Sequence, residues 1–251
     1  MSAGPGVQLV LFELLKFGSI GSLMWVSGYS VHRFGIRVNY TRKLNHFFLF
    51  FWQFVLRAKF EATGLTASRV VDGGLTLFCL TAIFVRPLRQ RVPLLNTMFA
   101  AYDRPEDRPH TLQLICIQLL LTFVALLPLA WYFRRTDFNE AITILLLVNG
   151  IGDGLAEPVG VRFGRHWYRV PSLFKERIHR RSWEGSACVF VTAVVLLLLY
   201  HGQFSTPELL GSLLLFPLGV TLAEAWSPHT VDSPLIFLVG GCVLAGVTAT
   251  L

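Results

Sequence analysis

The chain has 251 residues, of which 53% are hydrophobic and only 15% are charged, and its mean hydropathy is +0.57. Soluble domains carry about 25% charged residues, so this composition excludes a water-soluble globular fold and indicates a membrane protein. The formal net charge is +7. The four cysteines lie in separate apolar stretches without a CxxC motif, which gives no indication of a disulfide framework or a zinc site.

Eight apolar stretches approach the length of about 20 residues that a helix needs to cross a bilayer. In chain order they are 7–31, 46–65, 70–85, 111–133, 140–161, 184–200, 207–225 and 234–251. The sequence therefore predicts an all-α fold, a polytopic transmembrane helical bundle of about eight spans that forms a single integral membrane domain over residues 1–251. Arg57, Lys59 and Glu61 interrupt the second stretch, so the count falls to seven if 46–65 is re-entrant.

The basic residues are unevenly distributed among the loops that eight spans would create. Sixteen of the 22 Lys and Arg residues lie in loops on one side, namely 32–45, 86–110, 162–183 and 226–233, and five lie in loops on the other. Short loops rich in Lys and Arg remain in the cytoplasm. We therefore expect the first set of loops on the cytoplasmic face and both termini outside.

The most informative motif lies at the end of the fifth stretch, where glycines and acids follow an apolar run. The three close glycines are Gly150, Gly152 and Gly154. Glycines allow a helix to unwind and its backbone to approach a ligand, so their N–H groups are candidates for binding phosphate. Asp153 lies among them and is a candidate ligand for Mg²⁺. The alternative is a helix kink, with Gly160 and Gly164 used only in helix packing.

A second polar cluster precedes the sixth stretch. Its candidate phosphate-binding residues are Lys175, Arg180, Arg181 and Ser182. Glu184 follows, and it is a candidate for orienting a cation or a hydroxyl. A purely structural explanation is also open, because Ser182 is a typical helix N-cap and an acid is favourable in the first turn.

Two further clusters fall on the same predicted face. Arg42, Lys43 and His46 lie at the entrance of the second stretch, where basic residues are also ordinary membrane anchors. Glu224 lies near the end of the seventh stretch and Asp232 in the turn after it. An acid inside an apolar span is a candidate functional residue.

The convergence of these four clusters on one face predicts a site for a nucleoside polyphosphate with Mg²⁺. Acids hold the metal ion, while Arg and Lys neutralise phosphate oxygens. The chain contains no GxxxxGK[ST] motif, which excludes a P-loop enzyme. The glycine run reads GxGxG rather than GxGxxG and no strand is predicted before it, which excludes a Rossmann dinucleotide site.

The motifs occur in a recognisable order. They are Gly152-Asp153-x-x-Ala156 with Gly160 and Gly164, Ser182-x-Glu184-Gly185-Ser186, and finally Glu224 and Asp232. This order resembles the dolichol kinase, phytol kinase and CTP-dependent diacylglycerol kinase family, of which the chain is most similar to the compact phytol-kinase type. Arg42-Lys43-x-x-His46 is similar to an early element of that family. The chain has Arg181 where the family usually has Lys, and Ser233 where it often has Asn.

The resemblance implies a kinase that transfers the γ-phosphoryl group of CTP to the hydroxyl of a membrane lipid alcohol, a prenol, polyprenol or diacylglycerol. It implies Mg²⁺ or another divalent cation, held by Asp153, Glu157, Glu224 and Asp232. The hydroxyl proton would pass to Glu184 or His46. UTP and ATP stay open as donors, and no nucleic-acid partner is expected.

Two other functions are compatible with the same residues. A CTP:phosphatidate cytidylyltransferase needs the same nucleotide and metal ligands, but it releases pyrophosphate and forms a CDP-lipid. A membrane transporter would also place a glycine-broken helix at its binding site. Transporters often have two matched broken helices from inverted repeats, whereas the sequence has only one glycine-interrupted stretch, with its polar residues at one face rather than at the midplane.

Overall fold

The structure is a computed structural model that describes residues 5–60, 69–136, 138–171 and 179–251, and these residues are mostly helical. The first helices are α1 (Pro5–Phe34), α2 (Val38–Phe60), α3 (Arg69–Ala82), α4 (Arg86–Arg91) and α5 (Pro93–Ala100). They are followed by α6 (Thr111–Arg135), α7 (Glu140–Leu147), a π-helix (Val148–Asp153) and α8 (Gly154–Phe163). A hairpin of β1 (Trp167–Val170) and β2 (His179–Ser182) precedes α9 (Trp183–Leu199), α10 (Thr206–Trp226) and α11 (Asp232–Thr250).

Within the described residues, five helices are long and apolar enough to cross a membrane. They are α1, α6, the continuous helix Glu140–Phe163, α10 and α11, and α9 is a shorter apolar helix of 17 residues. The predicted class, an all-α bundle of membrane helices, is therefore confirmed, whereas the number of eight spans stays a prediction. The chain is an integral membrane protein in a lipid bilayer. The helix α2 has 23 residues but is not among the five, and part of the predicted span 46–65 lies outside the described residues.

The helices α9 and α10 begin close to the start of the predicted apolar stretches, because each has a local start signal. Ser182 accepts a hydrogen bond from the backbone N–H of Gly185 (3.1 Å) at the start of α9. Ser205 and Glu208 form a reciprocal capping box at the start of α10. Such caps satisfy N–H groups that have no partner within the helix.

The chain forms two compact units, Met1–Leu112 and Gln113–Leu251; the single domain over 1–251 stays a prediction. In the first unit, apolar side chains of α1, α3 and α5 form the core. Lys16 is buried within α1 at 2% exposure, and its Nζ lies 2.7 Å from Glu13 of the same helix and 3.0 Å from Asp72 of α3. An unpaired charge inside an apolar bundle is costly, so the buried Lys16 requires these partners. Its pair with Asp72 connects α1 to α3.

In the second unit, α7, the π-helix and α8 form one continuous helix, so the predicted break at Gly150–Gly154 is wrong. Gly152 faces a neighbouring helix instead. A Cβ on Gly152 would lie 3.0 Å from the Cα of Val189 in α9, and a Cβ on Gly185 of α9 would lie 2.6 Å from the carbonyl oxygen of Ala156. The missing side chains therefore allow α9 to pack closely, and the helix widens into a π-turn rather than unwinding.

The basic segment after α8 forms an antiparallel hairpin in which Tyr168 pairs with Arg181 and Arg169 pairs with Arg180. Residues 179–182 form a strand, and 172–178 lie outside the described residues. Side chains alternate between the two faces of a strand. Arg169 and Arg180 are exposed, whereas Tyr168 and Arg181 are partly buried on the opposite face.

The packing of α1 against α5 generates the first prediction. A Cβ on Gly28 would overlap the carbonyl oxygen of Thr97, so Gly28→Ala forces the two backbones apart. Overpacking of this kind costs about 1–3 kcal/mol, and we expect a lower melting temperature for the purified protein in detergent micelles. Gly18→Ala, in the same helix with no described atom within 4 Å of its Cβ, is the control and should melt like the wild type.

Candidate functional site

Arg181 lies at the centre of an ion-pair cluster in the second unit. Its Nη1 donates to Oε1 of Glu224 at 2.9 Å and its Nη2 donates to Oδ2 of Asp232 at 3.1 Å. Glu224 ends the apolar part of α10, Asp232 begins α11, and Arg181 belongs to β2. One guanidinium therefore connects three elements, and the side chains are largely buried, at 12%, 4% and 15% exposure for Arg181, Glu224 and Asp232.

A chain of hydroxyl groups completes the bonding of Glu224. Ser186 donates to Oε2 of Glu224 at 2.7 Å, and the Ser186 oxygen lies 2.6 Å from the hydroxyl of Tyr168. A serine hydroxyl has a single proton, and since Ser186 gives it to Glu224, Tyr168 must be the donor to Ser186. The hydrogen bonds thus run from Tyr168 through Ser186 to Glu224, and they fix the carboxylate relative to α9 and β1.

The other acid of the cluster is also held by several donors. The Gln118 amide of α6 donates to the Ser233 hydroxyl at 3.1 Å and, more weakly, to Oδ1 of Asp232 at 3.4 Å. The backbone N–H of Ser233 donates to the same Asp232 oxygen at 3.0 Å. Buried carboxylates are tolerated only with such partners, so the polar side chain of Gln118 inside an apolar helix has a defined role.

Asp153 belongs to the same cluster. It is 5% exposed at the end of the π-helix and interacts electrostatically with both Arg181 and Glu224. Glu157 lies one turn further along the same helix and is partly buried, so the two carboxylates share one helix face. We call Asp153, Arg181, Glu224 and Asp232 the Arg181 cluster.

The environment shifts the pKa of both polar side chains that the hairpin brings to the cluster. Burial lowers the pKa of the Arg181 guanidinium, but Asp232, Glu224 and Asp153 outweigh it, so the pKa of Arg181 lies above its ordinary value. Burial and the nearby charge of Glu224 raise the pKa of Tyr168. Arg181 is therefore fully charged and Tyr168 is a neutral hydrogen-bond donor.

The carboxylates have the chemistry that a divalent cation requires. Mg²⁺ prefers carboxylate oxygens and usually takes one or two of them, with phosphate oxygens and water completing the octahedron. Asp153 and Glu157 fit this description because they lie one turn apart on one helix. Glu224 and Asp232 bond to Arg181 instead, which differs from the predicted division into metal ligands and phosphate ligands; their role as metal ligands stays a prediction.

Two other candidates have structural roles in the described residues. Ser182 is the N-cap of α9, as the structural explanation predicted. Glu184 accepts two hydrogen bonds from His166, one from the ring Nδ1 at 2.9 Å and one from the backbone N–H of His166 at 3.3 Å. This pairing clamps the start of β1 to the first turn of α9. A catalytic role for Glu184 stays a prediction.

The candidate phosphate-binding glycines lie in regular helix or in packing contacts. The N–H of Gly154 donates to Ile151 and that of Gly164 to Gly160. Gly150 and Gly152 are buried within the π-helix. A Cβ on Gly160 would lie 2.9 Å from the Ser182 hydroxyl. The structure thus supports the packing alternative over a backbone cradle for phosphate.

The early basic element lies elsewhere in the chain. Arg42, Lys43 and His46 lie near the start of α2, in the unit Met1–Leu112, and Lys43 is buried at 5% exposure. Their roles in phosphate binding and proton transfer stay predictions. Lys175 falls outside the described residues.

Sequence reasoning did not identify Tyr168, Gln118 or Arg169 as site residues. A signal existed for Gln118, because a polar side chain inside an apolar span usually faces protein or a polar cavity. No comparable signal existed for Tyr168 and Arg169, since their positions follow from the hairpin register. A one-residue shift of that register would exchange the faces of the strand.

The ion pairs of Arg181 generate the second prediction. Arg181→Met leaves Glu224 and Asp232 buried without their cation, and breaking a buried pair costs about 3–5 kcal/mol. We expect a large loss of unfolding free energy, measured by denaturant titration in mixed micelles. Adding Glu224→Gln should recover part of the loss, because it removes one of the unpaired charges. Arg180→Met is the control: its side chain is exposed, and a similar loss for it would contradict the assignment.

The Arg181 cluster combines oxygen ligands suited to a cation with a guanidinium suited to an anion, at the ends of apolar helices. Nothing in the geometry is specific to one family. No protein-family model, curated protein or solved structure matches the chain significantly. The function of the cluster is therefore inferred from its own residues and their geometry.

Proposed function

We propose that the protein is a CTP-dependent lipid-alcohol kinase, which transfers the γ-phosphoryl group to the hydroxyl of a prenol, polyprenol or diacylglycerol in the membrane. The observation that carries this proposal is the convergence of Asp153, Glu224 and Asp232, from three different helices, around the guanidinium of Arg181. The order of the motifs that contain these residues, which resembles that of the dolichol, phytol and diacylglycerol kinases, also supports it. Acids together with an arginine at the end of apolar helices suit a charged donor and a membrane-bound acceptor.

Phosphoryl transfer depends mainly on positioning and on neutralising charge. Arg181 contributes to both, because its two ion pairs use two of the five N–H donors of a guanidinium. We assign its other donors to phosphate oxygens of the bound nucleotide. Glu224 and Asp232 fix the orientation of the guanidinium before the nucleotide binds, which reduces the ordering cost at the moment of reaction.

The exposed face of the hairpin supports the binding of a polyphosphate. Arg169 and Arg180 are directly opposite each other in the strand register, and both side chains are exposed. Like charges in such cross-strand positions are unfavourable by themselves. An anion between them would reverse that repulsion. Because the pair lies on the face of the hairpin opposite Arg181, we assign it to attracting the polyphosphate to this end of the bundle rather than to holding the phosphoryl group that is transferred.

Asp153 and Glu157 would hold Mg²⁺, with Glu224 and Asp232 as further oxygen ligands. When bound, the metal ion neutralises phosphate charge and orients the phosphoryl group. The acceptor hydroxyl needs no strong base, because the transition state of phosphoryl transfer is loose, and a role for Glu184 or His46 in taking its proton stays a prediction. The lipid alcohol enters laterally, with its tail between helices and its hydroxyl at the cluster.

We further propose eight spans with both termini outside and the hairpin on the cytoplasmic face, as the distribution of Lys and Arg indicates. The nucleotide would then reach the Arg181 cluster from the cytoplasm. The transporter alternative is less attractive, since the helix Glu140–Phe163 is continuous and no longer supplies the broken helix on which that alternative depends.

The third prediction tests the reaction itself. Purified protein in mixed micelles with Mg²⁺ and γ-labelled CTP should transfer label to a prenol or to diacylglycerol. Asp153→Asn should lower the rate by about 10²- to 10³-fold, because it removes a charge that stabilises the transferring group. Glu140→Gln, the corresponding acid-to-amide change at the N-terminal end of the same helix, should retain the wild-type rate.

Label position separates this reaction from its alternatives. Transfer of the α-phosphate, with release of pyrophosphate, would identify a cytidylyltransferase and refute the kinase. Absence of transfer from any nucleotide to any acceptor would refute both enzymes. Full activity of Asp153→Asn would refute the assignment of Asp153.

The fourth prediction tests the topology. In a cysteine-free background, Arg169→Cys on the exposed face of β1 and Gly202→Cys in the exposed turn after α9 should react with an impermeant maleimide from opposite sides. We expect labelling of Arg169→Cys only from the cytoplasmic side of sealed vesicles, and of Gly202→Cys only from outside. Labelling of both from the same side would refute the proposed arrangement.

A further inference from the structure

The amide of Asn149 is a polar group that the proposed site does not yet use. Asn149 belongs to the π-helix and is 8% exposed. Its Oδ1 is buried and accepts no hydrogen bond from any residue in the part of the chain that the structure describes. An unsatisfied buried polar group destabilises the folded state, so its presence requires an explanation.

Asn149 lies directly inward from the Arg181 cluster. It precedes Asp153 by four residues, and positions i and i+4 share a helix face. A Cβ on Gly152 would contact Val189 of α9 and a Cβ on Gly185 would contact Ala156, so this helix and α9 run antiparallel. Ser186, which donates to Glu224, is therefore level with the residues that follow Gly152, and Asn149 lies further inward than the Glu224 carboxylate.

The surroundings further inward are apolar. Ile144, Leu145 and Val148 are all 0% exposed, and they precede Asn149 in the same helix. A second orphan polar atom, Oγ1 of Thr221, lies one turn inward from Glu224 and likewise has no partner among the described residues. The cluster thus changes from charged to polar and then to apolar along the direction from the loops into the bundle.

The chemistry of Oδ1 restricts the ligand. An amide oxygen is only a hydrogen-bond acceptor, so it does not bind the oxygens of a phosphate, which are acceptors too. Mg²⁺ keeps several waters and needs near-octahedral oxygen ligands, which the apolar residues behind Asn149 do not supply. A single O–H donor at the end of an apolar chain satisfies both the orphan oxygen and the apolar surroundings.

We propose that Asn149 binds the hydroxyl of the membrane lipid alcohol, which donates its hydrogen bond to Oδ1. This inference rests on the proposed function and names the acceptor-binding residue within it. The hydrogen bond places the hydroxyl oxygen one turn inward from Asp153, on the side from which a membrane-resident substrate arrives. Positioning of this kind is a major part of the rate of a phosphoryl transfer.

Asn149→Leu tests the inference through rate and stability together. The substitution conserves volume and removes the unsatisfied oxygen, so the melting temperature should be equal to or higher than that of the wild type. The kcat/KM for the lipid alcohol should fall at least about tenfold, while the KM for CTP should not change. Asn139→Leu, at the exposed N-terminal end of α7, should alter neither quantity. A lower melting temperature for Asn149→Leu would overturn the inference, since it would show that the amide has partners within the fold.

A binding measurement separates this inference from the proposed reaction. Geranylgeraniol should raise the melting temperature of the wild type in micelles, whereas its methyl ether, which has no O–H donor, should not. Asn149→Leu should abolish the difference between the two compounds. This result would support the role of Asn149 even if no phosphoryl transfer were detected. The absence of transfer would refute only the proposed kinase reaction. The inference would be overturned if the alcohol and the ether stabilised the wild type equally. It would also be overturned if the difference in melting temperature between the two compounds were unchanged in Asn149→Leu.

Discussion

The arrangement of the second unit depends on one buried guanidinium. Arg181 bonds to Glu224 at 2.9 Å and to Asp232 at 3.1 Å, so it fixes the hairpin to the end of α10 and to the start of α11. Buried ion pairs are favourable only when the remaining hydrogen-bonding capacity is also satisfied. Ser186, Gln118 and the backbone of Ser233 meet that condition. The cost of placing charge in an apolar bundle is thereby offset by a network that permits a single geometry.

The hairpin makes two adjacent arginines serve different purposes. Arg181 faces the cluster and Arg180 faces the surface, because side chains alternate along a strand. A helix in this segment would have placed the two residues about 100° apart on one surface and could not have separated them so completely. The strand therefore allows a run of basic residues to stabilise the fold and to leave an exposed basic pair beside the same helix ends.

Much of the fold was predictable from the sequence, because apolar length and composition determine where helices of a membrane protein lie. The grouping of Asp153, Arg181 and Glu224 was also predictable, since polar residues in apolar spans gather where they find partners. The hairpin could not be predicted from the sequence, because strand register depends on tertiary pairing. The role of Gly160 was ambiguous for a related reason: a glycine next to a ligand and a glycine next to Ser182 look identical in sequence.

The continuous helix Glu140–Phe163 reconciles packing with chemistry. Its C-terminal part carries Gly160, which must face Ser182 at the start of α9, while its middle carries Asn149 and Asp153 on another face. In a regular α-helix each residue advances by about 100°, so one inserted residue rotates everything that follows. The π-turn at Val148–Asp153 is such an insertion. Gly152 within the π-turn and Gly160 beyond it both face α9, so the helix stays packed along α9 through the turn while Asp153 lies in the Arg181 cluster.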